Sequence, residues 1–149
     1  MSKSMRIAFG CHLAAALLLL IFGLVYLFRP EFMPYHSDAL AREWSAVERP
    51  YQVLILALMR VTGGAWLATA MAMVILLLFP FRQGDKWARW TIPAVGLVVS
   101  GSAFYATAYV RQHTPGNPPW IAVVVGMLLS VIGLVISLQT NGYTINRTP

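Results

Sequence analysis

Few side chains in this sequence could do chemistry, and most of them gather near one connection. Residues 29–50 hold Glu31, Asp38, Glu43 and Glu48, four of the five acids, together with His36. His36 lies beside Tyr35 and Asp38, and an unperturbed imidazole titrates near neutral pH, so it is either the candidate general base or a group that caps and fixes the loop. Arg60 is the only arginine inside an apolar run. A guanidinium at that depth needs a counter-charge or water. The expectation is that 29–50 folds back as a cap and that Glu31, Glu43 or Glu48 pairs with Arg60. The competing expectation is that Arg60 snorkels to the headgroups. Ser102, Tyr105, Tyr109 and Gln112 follow one another at intervals of three or four residues, which places them on one helical face. With Arg60, Thr62 and His36 they are expected either to form a satisfied polar patch that pins the third span to the second, or to line a small apolar pocket tipped with polar groups, the usual form of a small-ligand site.

Other chemistry has no residues to carry it. His12, His36 and His113 lack metal-ligand spacing, and no glycine-rich phosphate loop occurs. Cys11 is the single cysteine, which excludes an intrachain disulfide and a CxxC redox pair. The apolar runs contain no acid, which speaks against proton-coupled transport. His12 lies inside the first run and is expected to be a hydrogen-bonded packing residue. Neither metal nor cofactor is expected.

The elements that must position these groups are set by hydropathy. Of the residues, 58% are hydrophobic and 11% charged, far below the roughly 25% charge of soluble domains. Four apolar runs are each long enough, at about 20 residues, to cross a ~30 Å hydrocarbon core as helices. The expected spans are 7–28, 51–79, 90–110 and 119–138, followed by a polar tail at 139–149. Together they form a single all-α membrane domain, a four-helix bundle. Pro50 and Pro80 bound the second span, and Pro93 is expected in the first turn of the third. The net charge of +6 comes from basic residues flanking apolar runs, so membrane lipids rather than nucleic acid are the expected partners.

Four spans put both termini on one side. That side carries Lys3, Arg6, Arg82, Lys86, Arg89 and Arg147, against Arg29, Arg42, Arg49 and Arg111 on the other. The positive-inside rule then makes both termini cytoplasmic in a bacterial inner membrane. Between the first two spans, Ser37 reads as the N-cap of an amphipathic helix with Leu40, Trp44 and Val47 on its apolar stripe. Asp38 and Arg42 are spaced as a surface pair. Small residues recur at four-residue spacing at Gly64, Ala68 and Ala72, at Gly96 and Ser100, and at Gly126, Ser130, Gly133 and Ser137. Such stripes let helices approach closely, either within the bundle or in a homodimer or partner complex.

The stretch LMRVTGGAWLA, with Arg60, Gly63 and Gly64, followed by the basic turn RQGDKWARW, resembles small bacterial four-span proteins of the DoxX-like type. The resemblance covers the second and third spans and implies a fold more than an activity. The leading functional expectation is therefore non-catalytic. The protein would bind a small hydrophobic molecule or lipid at its outer face, or serve as an accessory subunit of a membrane complex. The alternative is a small membrane enzyme acting on a lipid-soluble substrate, with His36 as base and Arg60 as anion holder.

Overall fold

A computed structural model of the chain describes residues 1–139. The polar tail expected beyond the last span lies, from residue 140 on, outside the described residues. The architecture is all-α. Helices α1 (Lys3–Phe28), α3 (Arg49–Leu76), α4 (Lys86–His113) and α5 (Trp120–Gln139) are each long and apolar enough to cross a membrane, and a short helix α2 (Pro34–Leu40) lies between α1 and α3. The protein is a multi-pass membrane protein.

Two prolines sit differently from expectation. The second span does not stop before Pro80. It widens into a π-turn over Leu77–Phe81, and Asp85 N–H donates to Pro80 O at 3.0 Å. Proline has no N–H for the helical ladder and its ring crowds the preceding turn, and a local π-turn relieves both. The third span begins at Lys86, not Trp90, so Pro93 falls inside the helix and is buried rather than lying in the first turn.

The loop helix is also shorter than the apolar stripe suggested. Pro34 starts α2 at its first position, where a missing N–H is harmless and φ is already helical. Ser37 is interior to α2, not its cap. The helix ends at Ala41, which adopts a left-handed φ of 50°. Ser37 Oγ donates to Arg42 O at 2.9 Å across this reversal. Asp38 and Arg42 form no ion pair, because the chain has turned between them. Trp44 and Val47 follow in a separate 3₁₀ turn and its exit.

The spans are arranged as an open ring. α3 packs along α1, α1 along α5 and α5 along α4, whereas α3 and α4 barely meet. Where α1 crosses α3, Gly23 and Gly63 bring the two backbones together: a Cβ added at Gly63 would lie 2.6 Å from Leu27 N and 2.7 Å from Gly23 O. The buried face of α3 runs through Met59, Gly63, Ala70 and Met73. The expected stripe Gly64, Ala68 and Ala72 is therefore displaced outward, with Ala68 and Ala72 exposed and open space beside Gly64. The stripes on α4 and α5 are interior. Gly96 faces Ser130, and Gly126, Ser130, Gly133 and Ser137 are all buried.

Two cores fill the ring. On the side of the termini, Met5, Ala8, Ala16, Met73, Leu77, Phe81 and Ile92 pack together, and the π-turn closes the gap between α3 and α4 there. His12 is fully buried in this half. Its ring lies edge-on to Phe81 and flat against Gly133, and neither nitrogen has a hydrogen-bond partner among the described residues. On the loop side, Tyr26, Phe32 and Met59 form a second core with Trp44, Val47 and Ile55. Gln52 Nε2 donates to Trp44 O at 2.8 Å and ties this cover to α3.

Candidate functional site

The gap between α3 and α4 stays open in the loop-side half, because the residues facing it on α4 and α5 are small. Ser100, Ala103, Ala106 and Thr107 of α4 and Gly126 of α5 form one wall. The opposite wall is aromatic. Trp66 of α3 lies between Phe22 and Tyr26 of α1, with ring centroids 6.5 Å and 4.8 Å away. The result is a cavity of about 500 Å³. Leu58 of α3 and Ala106 of α4 line it and are themselves exposed, so the cavity opens sideways between the two helices.

Helix α2 and the α4–α5 connection roof the cavity. Tyr35, His36, Ala39 and Leu40 line it from α2, and Pro118 and Pro119 from the connection. These two pieces touch at Gly116, where an added Cβ would lie 2.7 Å from Tyr35 O. Arg111, stacked on Trp120 at 5.0 Å, braces the same connection.

Tyr26, Tyr35 and His36 meet under this roof. The hydroxyls of Tyr26 and Tyr35 hydrogen-bond to each other. Burial, reinforced by the neighbouring Tyr26, raises the pKa of Tyr35, so it stays a neutral phenol. His36 is the third residue of α2, and its Nδ1 accepts from Met33 N–H at 3.3 Å. It therefore caps its own helix, as a glutamate or glutamine at this position would. Burial lowers its pKa, which keeps the ring neutral near pH 7. With Nδ1 committed as an acceptor, the proton of the neutral ring resides on Nε2. Among the described residues, no acid, lysine or arginine lines the cavity.

Of the residues expected to form a site, the structure brings His36 and Thr62 into the cavity and leaves the others outside. Ser102, Tyr105 and Tyr109 do share one face of α4, but it is the outer face, about half a turn from Ser100 and Thr107 at ~100° per residue. Tyr105 is 71% exposed, and Tyr105, Tyr109 and His113 stack along the surface. The Ser102 hydroxyl donates to Val98 O and Val99 O of its own helix.

Arg60 is exposed and forms no ion pair among the described residues. The expected pairing with Glu31, Glu43 or Glu48 does not occur. Glu31 meets Arg29 at 3.4 Å, and Glu43 and Glu48 are exposed. The loop approaches α3 through Phe32, Trp44 and Val47, so its apolar side faces the bundle and its acids face away. Arg60 lies on the outer surface of α3. Arg60 therefore does not line the cavity that His36 lines.

Tyr26, Tyr35 and Trp66, which define the cavity, carry no motif. The signal that could have found them is the row Ser100, Ala103 and Thr107, small residues on one face of α4 at a depth where α1 and α3 carry aromatics. No family model, no curated protein and no solved structure matches the chain.

Proposed function

We propose that this protein binds a small lipid-soluble molecule in the cavity between α3 and α4, beneath the α2 cap. The observation that carries this reading is an apolar cavity of about 500 Å³, within the 300–1,000 Å³ range of ligand sites, with few polar groups and Tyr26, Tyr35 and His36 together at its capped end. Its opening between Leu58 and Ala106 faces the bilayer, the natural source of such a molecule. The excess of Lys and Arg on the side of the termini supports a bacterial inner-membrane location with the cap outside.

Native mass spectrometry of the protein, released in mild detergent from the membrane in which it was made, tests the proposal. The expected result is a retained small molecule that disappears in Ala103→Phe, which fills the cavity, and persists in Arg60→Ala. Retention in a folded Ala103→Phe would refute the site. A bare protein that copurifies with a second membrane protein would replace ligand binding with the accessory role.

A further inference from the structure

The chemistry under the roof of the cavity is one-sided, and this bears on what the cavity holds. Two tyrosine hydroxyls share one hydrogen bond between them, so one of their two hydrogens remains uncommitted. His36 presents Nε2–H, because its other nitrogen accepts from Met33 N–H. Nε2 has no protein partner among the described residues and is accessible. The remaining hydroxyls lie elsewhere on the lining: Thr107 Oγ donates to Phe104 O, Ser100 lies on the floor beside Gly126, and Thr62 lies on the α3 wall. The cavity thus offers donors at its capped end, largely apolar walls below, and no ionic group among the described residues.

Each class of ligand meets this arrangement differently. A fixed charge entering the cavity would lose hydration with no counter-ion to replace it, a penalty of several kcal/mol. An acceptor oxygen without charge would gain hydrogen bonds from donors that otherwise lack partners. A plain hydrocarbon would fill the walls and leave the donors unmet. We infer that the site selects uncharged amphiphiles whose polar end is a carbonyl-type acceptor, an ester or ketone, with the acyl or alkyl part against Trp66 and the small-residue wall. The inference rests on the proposed binding function and names its ligand class. The ligand enters sideways between Leu58 and Ala106 and carries its oxygen up to Tyr26, Tyr35 and His36.

The experiment uses the full chain in mild detergent and four brominated C16 probes: a methyl ester, an alkane, a sulfonate and a trimethylammonium salt. The last two keep their charge at every pH. Bromine quenches tryptophan at contact, and Trp66→Phe identifies the part of the signal that comes from the cavity. The methyl ester should bind about 5–30-fold tighter than the alkane, as one or two hydrogen bonds of about 1 kcal/mol imply. The two charged probes should give no Trp66-dependent quenching. In Tyr26→Phe/Tyr35→Phe/His36→Leu the ester should fall to the affinity of the alkane, whose own quenching reports that the cavity is intact. If that variant does not fold, the ranking of the four probes on the unaltered protein decides the matter. Equal binding of ester and alkane, or Trp66-dependent binding of either charged probe, would overturn the acceptor-selective inference and leave the cavity as a ligand site. No Trp66-dependent quenching by any probe would overturn both.

Discussion

Substituting Gly63 tests the packing on which the cavity depends. An added Cβ would stand 2.6 Å from Leu27 N, 2.7 Å from Gly23 O and 3.0 Å from Tyr26 C, where ordinary contact begins at 3.4 Å. All three atoms are backbone of α1, so no rotamer change relieves them. The helices must part by about 0.8 Å, or deform by an equivalent amount. Overpacking of this kind costs about 1–3 kcal/mol, and rigid backbone on both sides places it toward the upper end. Alanine returns about 0.5–1 kcal/mol through helix propensity, so Gly63→Ala should lose about 1–2 kcal/mol net. Gly64, the next residue, has nothing within 4 Å of an added Cβ, so Gly64→Ala should keep the propensity gain. The two variants differ in composition by nothing, yet should differ in stability by about 2 kcal/mol. On the scaling of soluble domains this separates their melting temperatures by about 4–8 °C. Thermal unfolding in mild detergent, followed by far-UV circular dichroism, measures it. Tyr26 and Trp66 flank the crossing, so Gly63→Ala should also weaken a cavity probe. A Gly63→Ala protein that melts with or above Gly64→Ala would refute the assigned crossing.

Gly133→Ala would set a Cβ 2.7 Å from the ring of His12 and should destabilise by about 1–3 kcal/mol. In a His12→Ala background the same change should cost little, and a double-mutant cycle that shows no coupling would separate the two residues. His36 supplies a pH dependence. Its folded pKa lies below the ordinary 6.5, so the unfolded chain binds a proton that the native state resists. The contribution is fully present above pH 6.5 and is lost as pH falls from there through the folded pKa, when protonation of Nδ1 breaks the bond from Met33 N–H. His36→Gln keeps an acceptor at that position without titrating, so its melting temperature should fall less than the unaltered protein's between pH 7 and pH 5. Parallel curves would remove His36 from the account.

The number of spans, their approximate limits and the all-α class follow from composition alone, because twenty-odd apolar residues in lipid have no alternative to a helix. Periodicity also placed Ser102, Tyr105 and Tyr109 on one face correctly. It did not say which way that face points. In water an amphipathic helix declares its inner side, because the apolar stripe must be covered. In a bilayer leucine is as well placed against lipid as against protein, so relative phase is legible and absolute rotation is not. The tertiary structure decided the rotation. It turned the tyrosines of α4 and Arg60 outward, set Gly63 rather than Gly64 at the crossing, and put the small side of α4 opposite Trp66. The cavity exists because α3 and α4 fail to close over those small residues, and that gap belongs to the packing of four helices, not to any one segment.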